Sequence, residues 1–149
     1  MKAHLSFSVR SLLLGLFLCT TLTLGQNRKP VLLPAPQTDG GKPLMQALRD
    51  RQSTREFDST KLPPQLLSNL LWAAFGINRP DSGKRTAPSA RNWQEVDVYA
   101  IMEDGAYLYD AKANILRGVA KGDLRKLTGT QEFVSTAPLN RFTWRILRE

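Results

Sequence analysis

Apolar residues along this chain follow three rhythms, and each predicts a different kind of element. Residues 12–24 form a nearly continuous apolar run. Further on, Leu66, Leu67, Leu70, Leu71, Ala74 and Phe75 recur at spacings of three and four, which gives the wide apolar face of a helix. Pro63 and Pro64 suit its first turn, and Gly76 is its expected stop. From Val96 the period changes to two. Val96, Val98, Ala100 and Met102 alternate with Asp97, Tyr99 and Ile101, so a strand with one apolar and one mixed face is expected. Asp104-Gly105 marks a hairpin turn, and Tyr107 and Tyr109 alternate with Ala106, Leu108 and Asp110 on the return strand. Both tyrosines read as cross-strand aromatics. A short strand over residues 113–116 and short helices over 122–127 and 131–135 complete this part.

A first helix is expected over residues 43–51, with Pro43 at its start and Leu44, Met45 and Leu48 on its apolar side. Before it, residues 26–43 carry four prolines, Gly40-Gly41 and little periodicity beyond Val31-Leu32-Leu33. They read as an extended, poorly ordered tether. Residues 78–87 form a polar loop with Arg79, Lys84 and Arg85, three cations able to attract a phosphate or an acidic partner.

The apolar run at the start has a basic flank, Lys2 and Arg10, and small or polar residues at Thr23 and Gly25. That pattern predicts a secretory signal peptide over residues 1–25 and an exported, periplasmic or extracellular protein. The run is short of the roughly 20 apolar residues of a membrane span. Contact with a membrane is expected only through an uncleaved signal.

Export changes the composition. The 149-residue chain has a formal charge of +8, and cleavage after Gly25 removes Lys2 and Arg10 and no acid, leaving +6. The same cut removes the only histidine, His4, and the only cysteine, Cys19. A mature chain without either cannot hold a Ser-His-Asp triad, a Cys-His pair or a His/Cys zinc site. Difficult chemistry would need a cofactor.

The densest candidate chemistry is Arg49-Asp50-Arg51-Gln52-Ser53-Thr54-Arg55, three guanidinium groups and two hydroxyls where a helix gives way to polar sequence. Such donors suit a phosphate monoester. Solvated charges ending a helix would look the same, and composition alone favours that plainer account.

The motif itself says more. Arg51-Gln52-Ser53-Thr54-Arg55-Glu56-Phe57-Asp58 resembles the opening Arg-x-Ser-x-Arg/Lys-x-Phe motif of the FMN-dependent nitroreductase family. Ala87-Pro88-Ser89-Ala90-Arg91-Asn92-Trp93-Gln94 is similar to that family's Pro-Ser-x-x-Asn-x-Gln segment. Between them, Leu70-Leu71-Trp72-Ala73-Ala74-Phe75-Gly76 resembles the subgroup that includes azoline oxidases. The likeness covers residues 44–140. It implies an α+β fold, the nitroreductase-like α/β sandwich, with its carboxyl-terminal part missing or replaced. It also implies FMN as cofactor, NAD(P)H and a small-molecule electron acceptor as partners, and a homodimer. Arg51, Gln52, Ser53 and Arg55 would hold the flavin phosphate. Pro88, Ser89, Ala90 and Asn92 would line its ring, commonly from the other subunit.

After Asn140 the likeness stops, and residues 141–149 read as a divergent tail, the mark of a truncated copy. Phe142, Trp144 and Ile146 alternate with polar residues, so a half-buried strand and a change of reading frame both account for this end. A different class of function remains open beside the enzyme. It is a non-catalytic, exported basic module binding anionic surfaces or polymers, which a pI near 10.1 would suit. No nucleic-acid-binding motif is present.

Overall fold

The structure is a computed structural model and describes residues 28–58 and 60–145. The expected signal peptide over residues 1–25 lies outside the described residues. Among these, no helix is long and apolar enough to cross a membrane.

The period-two stretches build a five-stranded antiparallel sheet in the order β1-β6-β5-β4-β7. Its strands are β1 (Val31–Leu32), β4 (Val96–Met102), β5 (Gly105–Asp110), β6 (Ile115–Lys121) and β7 (Asn140–Arg145). The register pairs Ala100 with Tyr107 and Tyr109 with Leu116. Alternation then places Val98, Ala100, Tyr107, Tyr109 and Leu116 on one face. There they pack with Leu67, Leu71 and Phe75 of helix α2 (Pro64–Phe75) to form the core. Leu71 and Leu116 are 1 % and 0 % exposed. Burying each stabilises the fold by about 1.5–3 kcal/mol. On the opposite face Ile101 and Ala106, a register pair, are buried as well.

Helix α2 buries a narrower stripe than its sequence predicts. Leu67, Leu71 and Phe75, four residues apart, point inward with Ser68, while Leu66 and Leu70 are each 46 % exposed. Ser68 is tolerated in the core because its hydroxyl donates to the Pro34 carbonyl at 2.6 Å. Gly76 ends the helix as expected, though for another reason. Its φ of −68° and ψ of 165° are extended rather than left-handed. What excludes a side chain is crowding, since a Cβ there would lie 2.6 Å from the Trp72 carbonyl oxygen. Helix α1 (Leu44–Asp50) starts after Pro43 as expected, but it buries no residue.

The tether expected over residues 26–43 is corrected in part. Val31 and Leu32 pair with Leu116 and Ile115, making β1 an edge strand. Asn114 Nδ2 donates to the Pro34 carbonyl at 2.8 Å, and Gln65 Nε2 to that of Ala35 at 2.8 Å. Arg28 reaches across β5, its Nη2 donating to the Asp104 carbonyl at 3.0 Å and its Nη1 to the Tyr107 hydroxyl. Glycines make the room for it. A Cβ on Gly118 would lie 2.6 Å from Arg28 Cβ, and one on Gly105 would lie 2.7 Å from Arg28 Nη1.

Two further expectations shift. The β4–β5 turn is centred on Glu103-Asp104, and Gly105 is already strand, paired with Met102. At the other end, Asn140–Arg145 is strand β7, paired along β4 from Val96 to Ile101. Residues 141–145 thus form the strand that the alternation of Phe142 and Trp144 allowed, although residues 141–143 are exposed rather than half-buried. The short helices expected over 122–127 and 131–135 are 3-10 turns at Arg125–Leu127 and Glu132–Ser135.

Candidate functional site

The polar loop expected over residues 78–87 is a small hairpin, β2 (Ile77–Arg79) and β3 (Lys84–Arg85), closed by the 3-10 turn Pro80–Ser82. Gly83 follows that turn with a φ of +62°, a left-handed position glycine fills without strain. Thr86 fastens the hairpin to α2, its amide donating to the Gly76 carbonyl at 2.9 Å and its hydroxyl to that of Trp72 at 3.1 Å.

Next to it lies the loop of residues 87–94. Arg91, Asn92 and Gln94 have φ angles of 51°, 58° and 50°, all left-handed. Each such non-glycine position costs about 1 kcal/mol or more, least at asparagine, and persists only where neighbours impose it. Gln94 supplies most of that constraint. Its amide N–H donates to Ser89 Oγ at 2.7 Å, and its Nε2 donates to the Gly83 carbonyl at 3.0 Å and to Asn92 Oδ1 at 3.1 Å. Its Oε1 accepts from Arg85 Nε at 2.9 Å. Arg85 in turn donates from Nη1 to the Phe75 carbonyl at 3.1 Å, with its guanidinium carbon 4.5 Å from the Phe75 ring centre. Burial lowers the Arg85 pKa, an effect opposed by Tyr109, Asp110 and Asp97.

Hairpin and loop together wall a cavity of about 610 Å³. Four cations line it, Arg79, Lys84, Arg85 and Arg91, beside Ala87, Pro88, Ser89 and Asn92. None of its lining residues is acidic. Among the described residues none of the four cations enters an ion pair. Volume and donor set both fit a phosphorylated organic ligand.

The residues predicted for a flavin site fall into two groups. Pro88, Ser89 and Asn92 line the cavity, and Ala90 is exposed on the same loop. Arg51, Gln52, Ser53 and Arg55 are all exposed on the segment that follows α1, and none of them lines the cavity. Arg51 is extended, with a φ of −68° and ψ of 118°. Among the described residues no hydrogen bond, ion pair or ring contact joins this segment to the loop.

Sequence reasoning left Arg79, Lys84, Arg85, Arg91 and Gln94 out of the candidate site. The first three were visible as a cationic loop, and Gln94 stands inside the second motif. What their order along the chain does not show is that Gln94 stitches hairpin to loop. Tyr107 and Tyr109 belong to the buried core cluster. Tyr107 is held between Arg28 and Asp104, and burial, then the Asp104 contact, raises its pKa. Tyr109 is raised by burial and donates to Asn114 Oδ1 at 3.2 Å.

The chain belongs to the nitroreductase family. The nitroreductase family model matches residues 48–143. Among solved structures the chain resembles a protein of Ralstonia eutropha JMP134, a nitroreductase by assignment, with 44 % identity and a TM-score of 0.73. That likeness covers 80 % of this chain and 57 % of the other, so the chain spans a little over half the length of this relative. No curated protein matches it. The fold expectation, an α+β nitroreductase-like architecture, holds.

Proposed function

We propose that this protein is an FMN-dependent oxidoreductase that passes reducing equivalents from NAD(P)H to a nitro, quinone or similar small acceptor. The observation that carries the reading is the cationic cavity walled by Pro88, Ser89 and Asn92, the loop that resembles the family's flavin-ring segment. Bound FMN would supply hydride acceptance and donation at its ring. The chain's own groups bind and orient. Arg51 and Arg55 offer guanidinium forks, and Ser53 a hydroxyl, to the flavin phosphate, with Gln52 beside them. Pro88, Ser89, Ala90 and Asn92 fix the ring's edge on a loop already held in its strained form. None of these groups has to move a proton.

Because no contact among the described residues joins the two half-sites, the reading includes a homodimer in which each site draws on both copies. Export through the signal peptide of residues 1–25 belongs to the same proposal. The alternative, a basic module without catalysis, is the weaker account, because the family match covers both motif-bearing stretches.

The test is to purify the chain from residue 26 with FMN and titrate flavin fluorescence. Saturable quenching, a dimer by light scattering and NAD(P)H oxidation are expected. A folded protein that leaves FMN free at high micromolar concentration refutes the reading.

A further inference from the structure

A second cavity, of about 210 Å³, shares no lining residue with the one beside the loop of residues 87–94. Lys61 and Leu62 line it from the segment that leads into α2, whereas the 77–85 hairpin follows that helix. The two cavities are therefore at opposite ends of a twelve-residue helix, which is about 18 Å long. Val31, Leu62, Met102 and Pro138 give the second cavity an apolar side. Leu62 and Met102 also pack against the core, so that side is held in place. The polar side is Tyr107 with four charged groups, Lys61, Glu103, Asp104 and Arg125.

Two of these charges are already matched. Arg28 Nη1 lies 4.0 Å from Asp104 Oδ2, and the Tyr107 hydroxyl donates to the same oxygen. Arg125 Nη2 donates to Asp123 Oδ2 at 2.7 Å, and its Nη1 to the Ala137 carbonyl at 3.0 Å. Lys61 and Glu103 differ. Both are exposed, and among the described residues neither side chain enters a hydrogen bond or an ion pair. One unmatched charge of each sign thus stands beside an apolar wall. A simple anion or cation would satisfy one of the two and face the other with a like charge. A zwitterion satisfies both.

We infer that this second cavity binds a free α-amino acid with an aliphatic side chain. Lys61 Nζ donates to the ligand's carboxylate, and the ligand's ammonium donates to the Glu103 carboxylate. The aliphatic side chain lies on Val31, Leu62 and Met102. Size agrees with this occupant, since 210 Å³ is about the share of seven water molecules, a scale that suits valine or leucine and excludes a nucleotide. The site needs neither FMN nor a second copy of the chain, so it stands apart from the oxidoreductase reading.

The experiment is calorimetric titration of the full chain with leucine, leucinamide, isocaproic acid and glycine. Leucinamide lacks the carboxylate, isocaproic acid the ammonium, and glycine the side chain. Leucine should bind, and each of the other three about tenfold or more weakly. Lys61→Gln should erase the preference for leucine over leucinamide and keep that over isocaproic acid. Glu103→Gln should do the converse. Both positions are exposed, and circular dichroism verifies that the variants fold. The ligand series on the wild type tests the same pairing without any variant.

No saturation by leucine in the millimolar range overturns the inference and leaves Lys61 and Glu103 as solvated surface charges. Equal affinity for leucine and either analogue that lacks a charge does the same, as do preferences that survive both substitutions. Glycine binding as tightly as leucine would take the apolar wall out of the site and overturn it too. A repeat with FMN added separates this site from the flavin cavity. The affinity for leucine should not change, and competition between the two would place leucine in the other cavity and overturn the assignment.

Discussion

Two cationic stretches of this chain carry family motifs, and the fold treats them in opposite ways. Residues 51–55 are exposed on an extended segment, behind a helix that buries nothing. Residues 79–94 are strapped to the end of α2 by Thr86 and Arg85 and stitched together by Gln94. The difference separates donor chemistry from preorganisation. The first stretch holds donors whose geometry a ligand or a second copy must complete. The second holds donors whose geometry the chain completes itself, at the cost of three left-handed residues.

The contrast is sharpest when each stretch loses an arginine. Arg85→Ala removes a half-buried guanidinium, its two hydrogen bonds and its stacking on Phe75. A loss of roughly 2–4 kcal/mol in folding stability is expected, read from a urea unfolding curve. Arg51→Ala should leave that curve within about 0.5 kcal/mol of the wild type, as for an ordinary surface change. Comparable destabilisation by both would end the distinction.

Ligand affinity should show the reverse order within the first stretch. Arg51 begins the motif and Arg49 lies outside it. In a flavin titration Arg51→Ala should therefore weaken FMN binding by about 1.5–3 kcal/mol, roughly tenfold or more, and Arg49→Ala by much less. Small, equal losses would make the motif an accident of composition.

The smallest expected effect is a control in acid, at a carboxylate outside both stretches. Hydrogen bonds from Arg125 lower the Asp123 carboxyl to about 2. A folded-state pKa below the unfolded value means the contribution is complete above about pH 4 and is lost as pH falls through about 2. Asp123 is exposed, so the effect is slight. The difference in urea midpoint between wild type and Asp123→Asn should be present at pH 5 and gone near pH 2, with the affinity for FMN the same in both proteins at pH 7. A changed affinity would couple the control to the site and spoil it.

What the sequence made legible follows the range of the interactions. Helix α2 and strands β4 and β5 could be read locally because period and punctuation agree within a dozen residues. Both motifs were legible as donor sets for the same reason. The breadth of the buried face on α2 was not, because the sheet decides which stripe is covered and leaves Leu66 and Leu70 outside. Strand β1 was hidden among prolines, since its ladder partners are Ile115 and Leu116, some 80 residues away. The cavity was half legible. Three of its cations were visible as a cluster, but the glutamine that draws the loop against the hairpin has no local signal beyond its place in a motif.

Arg28 and the slot between Gly105 and Gly118 also bear on where the folded unit begins. The family match begins at residue 48, yet the folded unit reaches back to residue 28, where one arginine spans β5 and meets Tyr107. The cut proposed above, after Gly25, falls two residues before that arginine and spares it. Fragments designed to begin at the motif boundary would lack the side chain that fills this slot. Their protease resistance, compared with a chain that begins at residue 26, would show where the domain starts.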